Sequence, residues 1–461
     1  MREEEPPART ALSGSLDAWF NPVCMLPADE VIGLPSIWIL EAYPTSYVDS
    51  LLEGIRRLGW DSHRRFRWLG DSSSGIHDAR SGAGFSFVAF ETMYPPGQYA
   101  ELLGRPAVDL PAGCSRLVVR VHHPVPSTSV LVFQFVLDRT AGREVEGAFV
   151  REPPTDGMTP ADILSRPGPR LREVEEAVQR VRRRWRDTCA GWVSSRLPGL
   201  FAETGGVPAA EFVTLGKALP LDHSGRDEPY LQALGLASWL GASELWGSKG
   251  LRLRSPFWSG PARDLLLAGR EFELSDLEPT DDSGSVLDRV SSEVEDPLVR
   301  WALFETVRRY GIRLAGLRDR VGSIAGADDG GAARRLGDVQ RAFMRLHADT
   351  VPLQREIVEL CEDGTRYHRE GGEFHLIDRH QVAPGRDPNV LEDVRQRTVE
   401  EAHRLVRISS DLREMVSTTG GILGAMAQER ATEENLKLQR SVRWLAIFGL
   451  VATVFSVLAA I

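Results

Sequence analysis

The residues of this sequence best suited to chemistry are histidines and carboxylates that cluster in its last third. Imidazole nitrogens and carboxylate oxygens bind divalent metal ions, so the cluster indicates a site for a divalent cation such as Mg, Co or Zn. The spacing matches no known ligand pattern, and the alternative is a short strand over 374–377 whose polar residues face solvent. The candidate ligands are His368, His375, Asp378 and His380, interspersed with Glu370 and Glu373.

Sequence motifs of several common enzyme classes are missing. The sequence contains no phosphate-binding loop G-x-x-x-x-G-K-[ST], no nucleophile elbow G-x-S-x-G and no zinc motif H-E-x-x-H. We therefore expect no enzymatic activity and, apart from a divalent cation, no cofactor.

Length and composition predict a folded protein of several parts. A chain of 461 residues, 42% hydrophobic and 26% charged, can bury a substantial core. Its net charge of −10 argues against nucleic acid as a partner, because phosphates would be repelled. The four cysteines form no C-x-x-C pair, which is typical of buried reduced thiols and not of disulfides or a zinc site.

The first two thirds of the chain predict a mixed α/β domain. The run over 130–137 is apolar on both faces except for Gln134, which predicts a central strand. A helix that begins near Pro167 carries a run of arginines, either as a solvated face or as a surface for an anion. The other predicted strands are 31–40, 85–90 and 116–123, a helix is predicted over 47–58, and the arginines are Arg180, Arg182, Arg183, Arg184 and Arg186.

The last third predicts three long helices. Asp296 and Pro297 fit the N-cap and the first position of a helix, which should form an antiparallel hairpin with the next one. Pro352 is expected to kink that second helix. The third helix begins near Asp387 and meets no further proline after Pro388, so it should run unbroken for about 110 Å.

Apolar residues recur along the third helix with the 3.5-residue period of a helix that packs along another helix. We interpret them as the seam of a homo-oligomer, formed by Leu405, Leu412, Met415, Ile422 and Met426. Glu429, Glu433 and Glu434 follow. They form either a carboxylate ring that attracts cations to a pore mouth or intrahelical pairs with Arg430 and Lys437.

The end of the third helix predicts a transmembrane segment. Residues 444–461 carry no charge, and 18 residues span about 27 Å, one hydrocarbon core. Arg430, Lys437 and Arg440 precede the segment, which predicts a single-pass cell-membrane protein with its N-terminal body in the cytoplasm. The predicted anchor residues are Arg443, Trp444, Gly449, Ala452 and Ser456, the last three being small enough to let helices approach closely.

The predicted fold class is an α+β cytoplasmic domain followed by a long-helix region, an α-helical hairpin plus stalk, and a C-terminal transmembrane helix. This arrangement resembles the CorA family of divalent-cation transporters over about 290–461. The resemblance implies five chains with their stalk helices around a central pore. The predicted parts are a disordered tail (1–15), the α/β domain (16–290), the helical pair and connector (291–388), the stalk (389–443) and the transmembrane helix (444–461).

One departure from the CorA pattern keeps a second function open. The family's Gly-Met-Asn motif occurs nowhere in this sequence, and its second membrane helix has no counterpart in these 461 residues. The family's selectivity residues therefore correspond to no position here. The alternative is a membrane-tethered sensor, scaffold or effector that conducts no ions.

Overall fold

The structure is a computed structural model, and it combines one large β-sheet with long helices. It describes residues 30–60, 86–97, 107–149, 167–217, 244–255, 264–270, 274, 286–325, 331–362, 373–377 and 389–460. The predicted disordered tail, 1–15, lies outside the described residues.

Nine described strands form a single sheet. They are β1 (Ile32–Pro44), β2 (Ser86–Met93), β3 (Cys114–Val125), β4 (Thr128–Leu137), β5 (Ala209–Leu215), β6 (Glu244–Ser248), β7 (Leu251–Ser255), β8 (Asp264–Arg270) and β9 (His375–Leu376). Their order in the sheet is β2-β3-β4-β1-β5-β8-β7-β6-β9. Neighbouring strands are antiparallel except for β5 and β8, which are parallel.

The centre of the sheet confirms the prediction made from Gln134. Every residue of β4 is buried, and β4 lies between β3 and β1. Such a strand needs apolar residues on both faces, which explains why its sequence does not alternate. Gln134 itself is buried and its amide oxygen accepts a hydrogen bond from Ser291 at 2.7 Å.

Helices cover both faces of the sheet. The described helices are α1 (Val48–Arg57), α2 (Arg139–Phe149), α3 (Pro167–Arg196), α4 (Leu200–Glu203), α5 (Val286–Ala325), α6 (Ala332–Glu362) and α7 (Val390–Ala460); a 3₁₀ turn, Thr45–Tyr47, precedes α1. Odd-numbered residues of β1, such as Glu41, face α3 and α4, whereas Trp38 on the opposite face donates a hydrogen bond to Ser291 of α5.

The long helices agree with the sequence pattern except at the start of α5. That helix begins at Val286, so the prediction that Asp296 caps it is wrong, and Pro297 lies inside it. Pro352 likewise lies inside α6. α7 is continuous over 71 residues, about 107 Å, which confirms the predicted unbroken helix. Asn389 caps α7, because its side-chain oxygen accepts a hydrogen bond from the Leu391 amide at 2.8 Å.

The chain folds into two compact units whose borders lie inside helices. The α/β unit consists of 1–309 and 351–402, and the helical unit of 310–350 and 403–461. These borders differ from the predicted boundaries at 290, 388 and 443. The helix-forming pattern marks where helices are, and it carries no signal for where one helix passes from one unit to the other.

Two cysteines, Cys114 of β3 and Cys189 of α3, lie side by side. Cys114 and Cys189 are buried and have free thiols. A hydrogen bond with the Cys114 thiol, together with burial, raises the pKa of the Cys189 thiol well above its usual value. The prediction of buried reduced thiols is confirmed for this pair; Cys24 and the side chain of Cys361 lie outside the described residues.

Candidate functional site

The most distinctive surface of the molecule is the part of α7 from Gly421 to Leu450, which we call the bare segment. Every described residue along it is exposed except Leu423, which is half-buried. Because the exposure runs all round the helix, no other described part of the chain covers it. Its exposed apolar residues are Ile422, Met426, Leu436, Leu438, Val442, Trp444, Leu445, Ile447, Phe448 and Leu450.

Spacing along the bare segment places two of the predicted seam residues on one face. Ile422 and Met426 are four residues apart and both exposed, and Glu429, Glu433 and Leu436 continue the same three-and-four spacing. This face is therefore apolar at its start and acidic farther along.

The predicted seam is wrong for Leu405 and Leu412, because the chain buries both residues itself. In the helical unit, Arg413 of α7 donates a hydrogen bond to His347 of α6 at 2.9 Å. Gly420 lies beside Leu336, so α6 runs antiparallel to α7. Intrachain packing against α6 uses the same heptad spacing that a partner helix would use. Met415, near the edge of this contact, is half-buried.

Charges on the bare segment are exposed. Arg430, Lys437, Arg440 and Arg443 are spread over the segment, and Glu429, Glu433 and Glu434 lie among them. Among the described side chains, no ion pair joins Glu433 or Glu434 to Lys437, so the alternative of an intrahelical pair with that lysine is not formed. Glu429, Glu433 and Glu434 are exposed on the helix surface.

The predicted anchor residues lie at the end of the bare segment. Arg443, Trp444, Gly449 and Ala452 are exposed, and the Trp444 ring contacts Phe448 with 6.2 Å between ring centroids. The side chain of Ser456 lies outside the described residues, as do those of Val451 and of 453–461. Within the described part of the chain, none of the helices has a stretch both long and apolar enough for a membrane span.

The predicted metal ligands are described only in part. His375 lies in β9, exposed, with its Nε2 atom 3.4 Å from a carboxylate oxygen of Glu373. His368, Asp378 and His380 lie outside the described residues. In the ranges that the structure covers, His, Cys, Asp and Glu side chains form no group of three that could hold a metal ion. The two-residue strand agrees with the alternative that 374–377 forms a strand.

Two arginines of the α3 run, Arg182 and Arg186, form a buried ion cluster that neither sequence interpretation anticipated. The other three, Arg180, Arg183 and Arg184, are exposed, as expected for a solvated face. Glu211 of β5 accepts a hydrogen bond from Arg182 Nε at 2.6 Å, and its other oxygen lies 3.1 Å from Arg186 Nε. All three side chains are buried. Arg184, by contrast, forms an exposed pair with Glu144. The one sequence signal was Glu211 itself, a charge within an otherwise apolar strand.

A second polar contact holds α5 against the other face of the sheet. His122 Nε2 lies 2.6 Å from Glu295, and Arg116 donates to Asp288 at 2.9 Å. With Ser291 between them, Asp288 and Glu295 follow the three-and-four spacing of one helix face. The buried polar side chains of this helix face each need a hydrogen-bonding or charged partner on the sheet, and the contacts with Arg116 and His122 therefore fix the position of α5.

Glu41 of β1 is a fully buried carboxyl group with a strongly perturbed pKa. Burial raises its pKa to about 8, against the opposing effects of three backbone N–H donors and of Arg309. The donors are the amides of Ala42, Phe201 and Ala202, at 2.7 to 3.0 Å. The carboxyl group thus joins β1 to the first turn of α4, and its contacts are those of a structural link.

Comparison with known proteins adds no family to this description. No family model matches the chain, and no curated protein matches it in sequence.

Proposed function

We propose that this protein is a membrane-anchored homo-oligomer of CorA-like architecture, with the α/β unit on the cytoplasmic side. The bare segment carries the proposal. An isolated helix is marginally stable in water, and exposed apolar side chains on such a scale mark a contact surface. A helix that exposes this many apolar side chains is stabilised when another molecule, a protein copy or lipid, packs against it.

Two parts of α7 are suited to two different contacts outside the chain. Near Ile422 and Met426 the exposed apolar residues form one stripe, flanked mainly by the small residues Gly421, Gly424, Ala425 and Ala427, which suits a second helix of the same kind. From Trp444 onward the sequence is apolar on every side, which suits lipid. The cations at Lys437, Arg440 and Arg443 precede the apolar part, and this order supports a cytoplasmic α/β unit.

Membrane attachment is tested by washing membranes that contain the full-length chain with alkaline carbonate. The protein should stay with the membranes. Leu450→Asp puts a charge near the centre of 444–461, which costs about 3 kcal/mol and should weaken insertion about a hundredfold. Leu438→Asp is the matched control, since Leu438 is about equally exposed but lies before the apolar part. Release of the unsubstituted protein by the wash would refute the anchor.

Movement of divalent cations is a second candidate function, favoured by the exposed glutamates. If copies associate through Ile422 and Met426, Glu429 and Glu433 lie along the same face, where carboxylates from several copies would converge and attract cations. Mg, Co or Zn is the expected substrate.

A cation-flux experiment distinguishes this transport function from that of a non-conducting membrane-tethered protein. Full-length protein in proteoliposomes should move Mg, Co or Zn down a gradient, and Glu429→Gln/Glu433→Gln should lower that flux without changing the amount of protein inserted. A version that ends before Trp444 is the negative control. If the inserted protein moves none of the three cations, the oligomer acts as a non-conducting sensor, scaffold or effector.

A further inference from the structure

The helical unit contains a groove of about 310 Å³ between α5 and α6. Its floor is apolar: Leu317 and Leu346 are buried at its base. Its depth comes from two small residues, Gly316 and Ala342, one on each helix. A Cβ atom added at Gly316 would meet no other atom within 4 Å, so the space in front of this glycine is open. The volume is at the small end of the range for ligand sites.

Arginines surround this space, and we call it the arginine groove. Arg313 and Arg320 are two turns apart on α5, hence on one face, and Arg345 approaches from α6. Side chains from two helices thus bring three guanidinium groups around one apolar floor. Each guanidinium group has several N–H donors in a planar fork that fits phosphate oxygens.

Two of these arginines have no carboxylate partner among the described side chains, whereas arginines next to them do. Arg318 pairs with Asp319 at 3.5 Å, and Arg341 pairs with Asp338. Among the described side chains, by contrast, no carboxylate lies within ion-pair distance of Arg320 or Arg345. The groove therefore holds positive charge that the described part of the chain does not neutralise.

The local charge balance is opposite to that of the whole chain. The stretch 310–350, which forms the helix pair and its loop, contains seven arginines and five aspartates, whereas the chain has a net charge of −10. One of the five aspartates, Asp349, is buried and accepts a hydrogen bond from Tyr310 at 2.8 Å, facing away from solvent. A local excess of positive charge on an acidic protein attracts small anions.

We propose that the arginine groove binds an organic polyphosphate of nucleotide size, a nucleoside di- or triphosphate. The phosphates of the ligand accept hydrogen bonds from Arg320 and Arg345, and its flat nucleobase lies on Leu317 and Leu346. The site makes the helical unit a ligand-responsive part of the protein. It does not depend on membrane anchoring or on ion transport, so either proposal can fail without the other.

Calorimetric titration of the full-length, detergent-solubilised protein tests the site with ATP, pyrophosphate and adenosine at low salt. ATP should bind once per chain with a micromolar dissociation constant, pyrophosphate more weakly, and adenosine alone hardly at all. Arg320→Gln and Arg345→Gln should each weaken ATP binding about tenfold, as expected for a lost charge-assisted contact. Arg334→Gln is the charge-matched control and should change little.

A second pair of variants tests the groove separately from its charge. Gly316→Met fills the open space and should abolish ATP binding, while Gly322→Met, at an equally open glycine of α5, should leave it unchanged. Both changes replace glycine in a helix, so neither should unfold it; circular dichroism checks this. The proposal is overturned if the unsubstituted chain binds neither ATP nor pyrophosphate. It is equally overturned if the control variants lose binding as much as the groove variants, or if adenosine binds as tightly as ATP.

Discussion

Replacing Ile422 and Met426 by alanine should separate the copies of the proposed oligomer. The two side chains are 54% and 43% exposed in the single chain, so association has about half of each side chain left to bury. Full burial of a side chain of this size contributes about 2 kcal/mol, so each should contribute about 1 kcal/mol. Two residues on each of two contacting copies then give about 4 kcal/mol, which is about a thousandfold in the dissociation constant.

The assay is light scattering of the detergent-solubilised full-length chain over a dilution series. The unsubstituted protein should be oligomeric at micromolar concentration, and Ile422→Ala/Met426→Ala should be monomeric there. Ile312→Ala/Met344→Ala is the matched control, because these residues are 53% and 58% exposed and lie on α5 and α6. The same types of side chain are lost in both variants, so general hydrophobicity is held constant.

Two results would refute this reasoning. A monomeric unsubstituted protein at micromolar concentration would remove the oligomer. Equal dissociation of the control variant would show that the contact does not run along the bare segment.

Three further predictions concern the α/β unit. Glu211→Ala leaves Arg182 buried without its carboxylate partner and should lower the free energy of unfolding, measured by urea titration, by about 3–5 kcal/mol. An effect below about 1 kcal/mol would mean that water reaches the ion cluster. Gly113→Ala should destabilise the fold by about 2 kcal/mol, because Gly113 has φ +89° and a Cβ atom there would overlap the ring of Trp185; a neutral result in thermal unfolding would contradict the close approach. Burial raises the folded-state pKa of Glu41 to about 8 from an ordinary 4.5. The contribution of this carboxyl group to the stability of the fold is therefore fully present below pH 4.5 and is lost as pH rises through about 8. Glu41→Gln should flatten the decline in unfolding free energy between pH 5 and 8.5, and an unchanged pH dependence would refute the assignment.

The sequence predicted elements whose cause is local and missed contacts whose partners are distant in the chain. The apolar run around Gln134 and the long stripe of α7 identify a central strand and an unbroken helix, because burial on both faces and helical packing each leave a period in the sequence. The ion cluster of Glu211 with Arg182 joins residues on different elements, and no period records it. Likewise, the spacing of the arginine groove becomes visible only when α5 and α6 are side by side.

Two errors show where a correct pattern has two meanings. Asp296 and Pro297 have the residue types of a helix start, yet α5 begins earlier because the preceding residues pack a polar face on the sheet. Leu405 and Leu412 have the spacing of an oligomer seam, yet the same spacing serves burial within a single chain. A heptad pattern indicates that a helix packs against another helix. It does not indicate whether that helix belongs to the same chain or to a second copy.

The path of the chain through its two compact units limits how this protein can be rearranged. The helical unit is made from one internal stretch, 310–350, and from the end of the described chain, so the backbone passes between the units three times. A gene fusion that transfers only the C-terminal part would carry α7 without the section of α6 against which it packs. Exchange of the helical unit between proteins therefore requires three junctions made together, each inside a helix and in register, and a single crossover would disrupt both units.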